Sequence, residues 1–170
     1  MIIHKKEALQ YLYDGELIIY PTDTVYGLGC LPSNQSAVKK LLAIKPRTGF
    51  IVIVDSWSKC TSWIDEPFQT EHLETDKPTT WVFKASKSVP KDIQKNGLVA
   101  IRKVKHLPTL RLLEQLDQPL ISTSANKPGQ KTPSSFTELE AIFSIPILSG
   151  EPGNQPPSSL IIYGTKQVLR

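Results

Sequence analysis

The sequence predicts an α/β protein in which helices flank one open, twisted sheet of parallel and antiparallel strands. Short runs of β-branched and aromatic residues alternate with segments whose apolar residues recur at helical spacing. Some strand-like runs follow one another without an intervening helix, which indicates a mixed rather than a purely parallel sheet. At 170 residues the chain has the length of one typical domain, so we expect residues 1–170 to form a single domain.

The first half of the chain contains clear start and stop signals. A helix is predicted over Lys5 to Asp14, because Gly15 suits the position that follows a helix. The strand Leu17 to Tyr20 must end at Pro21, which has no N–H for a sheet, and the polar loop Thr22 to Gly29 follows. The remaining predictions for this half are a helix capped by Ser33 or Asn34 and stopped by Pro46, a strand over Phe50 to Val54, a helix over Ser56 to Ile64, and a loop or weak helix over Glu66 to Lys77.

The second half follows the same two periodicities, with more strands than helices. In chain order, the predicted elements are a strand over Thr79 to Ala85, a strand over Gly97 to Arg102, a helix carrying Leu110, Leu113 and Leu116, a strand at Leu120-Ile121, a helix capped by Ser135 with Glu138, and strands over Ile145 to Leu148, Leu160 to Tyr163 and Gln167 to Leu169.

Composition narrows the classes of protein. No apolar run approaches the roughly 18 residues of a membrane span, and the segment from Met1 to Lys6 is too short for a signal peptide. We therefore expect a cytoplasmic protein with no membrane partner. Cys30 and Cys60 have no His or Cys at ligand spacing, so we expect reduced structural cysteines and no metal site. The net charge of +4 suits nucleotides or RNA, although scattered Lys and Arg also describe an ordinary solvated surface.

Polar residues collect after three predicted strands. These sets are Thr22 to Tyr26, Arg102, and Ser122 to Asn126, and a fourth set, Lys45 and Arg47, leaves a helix. In open α/β sheets the carboxyl ends of the strands form the crevice that binds ligands. Guanidinium, ammonium, hydroxyl and amide groups together suit a polyphosphate and a carboxylate.

Several familiar catalytic motifs are missing. The sequence has no phosphate-binding G-x-x-x-x-G-K-[ST] loop, and Gly27-Leu28-Gly29 lacks the third glycine of a dinucleotide fingerprint. His4, His72 and His106 lie far apart in the sequence, and Ser124 lacks the G-x-S-x-G elbow of hydrolases. The chemistry that remains is positioning and charge neutralisation, as in transfer at a phosphorus centre.

Four motifs in a fixed order resemble the YrdC-like family and, within it, the bacterial TsaC threonylcarbamoyl-AMP synthases. They are PTDTVYGLGC from Pro21, the Lys45-x-Arg47 pair, VAIR ending at Arg102, and STSAN from Ser122 to Asn126. The similarity covers nearly the whole chain, including TTWVF from Thr79. It implies the family's open α/β fold with a positively charged concave face.

The resemblance also implies a reaction and a set of site residues. The family joins L-threonine, bicarbonate and ATP into L-threonylcarbamoyl-AMP and pyrophosphate, for modification of adenosine 37 in tRNAs that read ANN codons. Downstream threonylcarbamoyl-transferase proteins consume the intermediate, and Mg²⁺ is expected with ATP rather than as a permanently bound metal. The implied ATP-binding residues are Lys45, Arg47, Ser124, Asn126 and Thr132, of which Lys45 and Arg47 are the catalytic pair, and the implied threonine-binding residues are Thr24, Arg102, Ser122 and Ser158 or Ser159.

The chain departs from the family pattern in two places, and two alternative functions stay open. Arg47 is followed by only Thr48-Gly49 before the next strand, and no C-terminal domain follows the last strand, so we expect an open site. One alternative is a tRNA- or double-stranded-RNA-binding module without chemistry, and the other is a carbamoyl-adenylate enzyme that acts on carbamoyl phosphate. Gly27 and Gly29 are assigned to backbone shape, and Asp23 has no assigned role.

Overall fold

Nine strands and four α-helices make up the computed structural model, which describes residues 1–170. The strands are β1 (Ile2–Ile3), β2 (Ile18–Pro21), β3 (Tyr26–Gly29), β4 (Ile51–Val54), β5 (Thr79–Lys84), β6 (Leu98–Lys103), β7 (Leu120–Ser124), β8 (Ile147–Leu148) and β9 (Ser159–Ile162). The helices are α1 (Lys5–Tyr13), α2 (Gln35–Ile44), α3 (Leu107–Leu113) and α4 (Phe136–Ile142), with 3₁₀ turns at Trp57–Lys59, Thr61–Trp63 and Thr70–Leu73. None of these helices has the length and apolar character needed to cross a bilayer.

All nine strands form one mixed sheet. Their order across the sheet is β1-β8-β2-β3-β7-β4-β6-β5-β9. Four neighbouring pairs are parallel and four are antiparallel. The two outer strands, β1 and β9, do not pair with each other, so the sheet is open. The predicted open mixed α/β sheet is confirmed.

The capping signals work largely as predicted. Asn34 Oδ1 accepts a hydrogen bond from Ala37 N at 3.1 Å, which satisfies a free N–H at the start of α2. Ser135 Oγ accepts from Glu138 N at 3.3 Å at the start of α4. The Glu138 carboxylate accepts from Ser134 N at 2.7 Å instead of completing the box with Ser135. Gly15 follows α1 with a φ of 78°, a value that glycine adopts at little cost.

Three predictions of local structure were wrong. The loop predicted from Thr22 to Gly29 contains β3, which pairing with β2 and β7 on both sides stabilises despite its two glycines. The helix predicted over Ser56 to Ile64 is two 3₁₀ turns, because Thr61 Oγ1 and Ser56 Oγ bond to nearby main-chain groups. The last strand, Gln167 to Leu169, is reduced to a single bridge between Val168 and Ile161. The short edge strand β1 is an additional element that the sequence reasoning missed.

The two faces of the sheet differ in how they are covered. Val52, Ile101 and Ile121 belong to a core cluster of 26 buried residues on one face, which α2 and α4 cover. On the other face, α1 and α3 pack against Ile53 and Leu120 in a smaller cluster of 13 buried residues. The helices cover only part of this second face, and the uncovered part carries the polar residues of the site.

Gly27 and Gly29 allow the Tyr20 ring to cross β3. The buried Tyr20 hydroxyl donates a hydrogen bond to Ile121 O on β7 at 3.2 Å. A Cβ on Gly27 would lie 2.7 Å from Tyr20 Cε2, and a Cβ on Gly29 would lie 1.8 Å from Ile121 O. Neither glycine has a positive φ, so close approach is the reason for their small size.

We expect Gly29→Ala to lower the free energy of unfolding by about 2–4 kcal/mol, because β7 must move away from β3 to accommodate the methyl group. Gly129→Ala is the matched control, since Gly129 has a φ of 76° and no atom within 4 Å of its added Cβ. This control should cost about 1 kcal/mol, from backbone conformation alone. Chemical denaturation of the two variants measures the difference, and equal losses would contradict the close-approach explanation.

Candidate functional site

The polar residues meet across the face of the sheet rather than at one edge. Strand β7 runs antiparallel to β4, which runs parallel to β6, so the carboxyl ends of β6 and β7 lie at opposite ends of the sheet. The predicted sharing of carboxyl ends therefore holds for β2 and β7, which run in the same direction, and is wrong for β6. Register explains how the side chains still meet. Ile53 pairs with Arg102 and Ile51 pairs with Ser122, and alternate residues of a strand point to the same face.

A cavity of about 330 Å³ lies on this uncovered face. Its floor is formed by residues of the three neighbouring strands β7, β4 and β6, and its walls come from loops and from the end of the chain. The residues that line it are Thr22, Thr24, Val25, Arg47, Ile51, Ile53, Arg102, Ser122, Thr123, Ser124, Thr132, Gln155, Pro157, Ser158 and Arg170.

Lys45, Ser124 and Asn126 form a hydrogen-bonded cluster near one end of the cavity. Lys45 Nζ donates to Asn126 Oδ1 at 2.7 Å, and Ser124 Oγ donates to the same oxygen at 2.6 Å. Asn126 Nδ2 donates to Gln130 O, which fixes the orientation of the amide. Burial, with Arg47 nearby as a second cause, lowers the pKa of the Lys45 ammonium. The end of α2 thus delivers a desolvated cation to the end of β7.

Arg47 lies next to this cluster and lines the cavity. Its Nη2 donates to Thr123 Oγ1 at 3.0 Å, and its guanidinium lies 5.4 Å from the centre of the Phe50 ring. Burial, and secondarily the charge of Arg170, lower the pKa of Arg47. The short connection to β4 turns at Gly49, which has a φ of 76°.

Arg102 lines the cavity and is paired with Asp23. Arg102 Nη2 and Asp23 Oδ1 are in contact as an ion pair, with side chains that are 8% and 11% exposed. Burial lowers the pKa of Arg102 to about 10. Asp23 is a functional candidate that the sequence reasoning left without a role. Its position inside a polar motif is the only sequence signal that singled it out.

Ser158 connects the last strand to the cavity. Its hydroxyl is buried and lies 2.9 Å from Thr80 Oγ1. Arg170 donates to Ser158 O from Nε and from Nη2, at 3.3 Å in each case. Sequence reasoning missed Arg170, because its pairing with the 158–160 segment is visible only in the fold.

The Thr22–Thr24 turn is held by its own hydroxyl groups and by a crossing loop. Thr22 Oγ1 lies 3.1 Å from Thr24 Oγ1 and donates to Val25 O at 2.7 Å. Gly153 N donates to Thr22 O at 2.8 Å, and Gln155 N donates to the main-chain oxygen of Asp23 at 3.0 Å. The loop from residue 150 to 158 therefore lies over the turn and places Ser158 beside it.

Comparison with known proteins identifies the family. Residues 10–170 match the Sua5_yciO_yrdC family, whose description is telomere recombination. The chain belongs to this family. A relative named threonylcarbamoyl-AMP synthase, from Pseudoalteromonas translucida (strain TAC 125), is 38% identical over 167 residues, which are 90% of this chain and 89% of the relative. The resemblance to the YrdC-like family is confirmed.

Two solved structures are similar over the whole chain. Sua5 of P. abyssi complexed with L-threonine has a TM-score of 0.88 and 28% identity, over 100% of this chain and 57% of that chain. This chain thus spans a little more than half the length of that Sua5. E. coli YciO has a TM-score of 0.85 and 25% identity, over 100% of this chain and 93% of that chain.

In this Sua5_yciO_yrdC protein, the fold brings the predicted site residues together. Seven of them line the cavity, namely Thr24, Arg47, Arg102, Ser122, Ser124, Thr132 and Ser158. The other two, Lys45 and Asn126, are hydrogen-bonded to each other, and Asn126 also bonds to Ser124. Ser159, the alternative to Ser158, begins β9 and does not line the cavity. No group of three or more His, Cys, Asp and Glu residues is placed to hold a metal ion.

Proposed function

We propose that this protein is a threonylcarbamoyl-AMP synthase, which converts L-threonine, bicarbonate and ATP into L-threonylcarbamoyl-AMP and pyrophosphate. The observation that carries this proposal is one cavity lined by Arg102 and Arg47 together with the hydroxyl groups of Ser122, Ser124 and Ser158. A cavity of this composition suits an amino acid at one end and a polyphosphate at the other.

Threonine binds at the Arg102 end. The guanidinium binds the carboxylate of the amino acid, and it does so in a largely desolvated position where a charged hydrogen bond is strong. Thr24, Ser122 and Ser158 supply hydroxyl groups for the remaining polar atoms of threonine. The amino group then faces along the cavity toward the nucleotide.

ATP binds at the end where Lys45 and Arg47 lie, with Ser124, Asn126 and Thr132 as further contacts. The threonine amine and bicarbonate form a carbamate with loss of water, a carbamate oxygen attacks the α-phosphorus, and pyrophosphate leaves. Lys45 and Arg47 neutralise the negative charge that develops on the α-phosphate and on the leaving group. Their hydrogen bonds to Asn126 and Thr123 hold them in place before ATP arrives, so little reorganisation is needed.

Magnesium enters with ATP, whose phosphates it binds. The polar groups of the cavity are mainly cations and hydroxyl groups, and Asp23 is already paired with Arg102. This set of groups does not form a carboxylate cage, which fits an ion held by phosphate and water.

The product serves tRNA modification at adenosine 37 of tRNAs that read ANN codons. We place the reaction in the cytoplasm, with downstream transferases as partners.

The decisive experiment measures pyrophosphate release by the purified protein with L-threonine, bicarbonate and Mg-ATP. We expect release that depends on both threonine and bicarbonate, and L-serine at the same concentration should support less. Absence of threonine-dependent release would contradict the proposal. A protein that released no pyrophosphate but bound tRNA with an affinity falling steeply with salt would instead be an RNA-binding module.

A further inference from the structure

The ion pair between Asp23 and Arg102 joins two residues that line different cavities. Arg102 lines the cavity on the sheet face, whereas Asp23 lines a second cavity of about 190 Å³. Residues 73–79 and 103–106 form most of the wall of this second cavity. A carboxylate that enters the first cavity therefore meets a guanidinium that is already paired with Asp23.

The contact with Asp23 engages only one side of the guanidinium. Arg102 Nη2 and Asp23 Oδ1 are ion-pair partners, whereas Arg102 Nε is buried and has no hydrogen-bond partner. A buried ion pair repays the desolvation of its charges only when the remaining donors and acceptors are satisfied. A guanidinium binds a carboxylate most strongly through two parallel N–H groups, and the contact with Asp23 leaves Nε without a partner. A better carboxylate ligand can therefore replace Asp23.

The main chain of Asp23 is fixed, so the exchange is left to the two side chains, of which that of Arg102 is the longer. Gln155 N donates to Asp23 O at 3.0 Å, and a Cβ on Gly153 would lie 2.7 Å from the same oxygen. The two loops are thus packed too closely for Asp23 to retreat. The long side chain of Arg102 can turn about its own torsions without moving β6.

We propose that Asp23 is an internal competitor for Arg102, which the carboxylate of the amino-acid substrate must displace, so that Asp23 sets the affinity for threonine. This inference rests on the proposed function, because it takes threonine as the ligand of Arg102. When Asp23 occupies Arg102 in most ligand-free molecules, only the remaining fraction of molecules can bind threonine. The apparent affinity for threonine is reduced by that fraction. It also protects the buried guanidinium from weak monoanions when threonine is absent.

Calorimetric titration of L-threonine into Asp23→Asn tests the competition. The substitution keeps the size of the side chain and removes its charge. If Arg102 is engaged in about nine-tenths of the ligand-free molecules, the Kd for threonine should fall by about tenfold. Asp76→Asn is the matched control, because Asp76 lines the second cavity, is exposed, and forms no ion pair with Arg102. The control should bind threonine as the wild type does.

Thermal unfolding gives an independent measurement on the same variants. Asp23→Asn should unfold at a lower temperature than the wild type without ligand, because Arg102 loses its counter-ion. Saturating threonine should narrow this gap, since the ligand supplies the missing carboxylate. An unchanged gap, or threonine binding that is equal or weaker in Asp23→Asn, would overturn the inference while leaving the proposed function intact. If the wild type bound no threonine at all, both would fall.

Discussion

Arg102→Ala is expected to raise the KM for L-threonine by about 100-fold while changing the KM for ATP by less than about threefold. The reason is that removing one partner of a desolvated guanidinium–carboxylate pair costs about 2–5 kcal/mol of binding free energy. Steady-state pyrophosphate release, with each substrate varied in turn, measures both constants. The asymmetry between the two substrates is the diagnostic result, since it separates local loss of a ligand from general damage.

Two further variants make this result interpretable. Arg111→Ala removes an exposed arginine from α3 and should leave both constants unchanged. Arg102→Ala also leaves Asp23 buried without its partner, so its thermal stability should fall. The double variant Asp23→Asn with Arg102→Ala removes both charges and should recover part of the stability but none of the threonine affinity. Equal effects on threonine and ATP would contradict the placement of threonine at this end.

Lys45→Ala is expected to show the reverse pattern. The KM for ATP should rise and kcat should fall, together by on the order of 100-fold in kcat/KM, because Lys45 neutralises phosphate charge from a desolvated position. The KM for threonine should change little. Lys39→Ala is the control, since Lys39 is an exposed residue of the same helix. If Lys45→Ala affected threonine more than ATP, the two ends of the cavity would have been assigned in the wrong order.

The lowered pKa of Lys45 predicts opposite trends for ATP binding and stability at high pH. Lys45 loses its proton at a lower pH than an ordinary lysine of pKa 10.5, so ATP affinity should fall as pH rises toward that value. The unfolded chain holds this proton more tightly than the folded protein. Deprotonation therefore favours folding, and the free energy of unfolding should rise with pH between the two pKa values. Lys45→Met, which cannot titrate, should show neither contribution in calorimetric ATP binding or in denaturation across pH.

Local signals were sufficient where one residue decides the geometry. Pro21 ends β2 as expected, because its ring removes an N–H from the ladder. Asn34 caps α2, and Gly15 takes the positive φ that follows α1. The same signals failed for β3, whose glycines oppose a strand in isolation. The Tyr20 ring and the neighbouring strands, which come from distant parts of the chain, compensate for that weakness.

For the site as well, the sequence predicted one part and the fold decided the other. The identity of its residues follows from motifs along the chain, and seven of the nine predicted residues line one cavity. The sequence does not predict how these residues are arranged in space, because the direction of each strand in the sheet depends on which strands pair. Antiparallel pairing of β7 with β4 places Arg102 and Ser124 at opposite ends of the sheet, and the cavity lies across the face between them.

Sequence alone was enough to predict the α/β class, several strand and helix boundaries at prolines, glycines and caps, and seven of the residues that line the cavity. It did not predict that Asp23 pairs with Arg102, that Arg170 reaches Ser158, or that the glycines of β3 admit the Tyr20 ring. The difference lies in the range of the interactions. Capping and turn signals act within a few residues, whereas an ion pair between residues 23 and 102 depends on sheet register, which is set by packing of the whole chain.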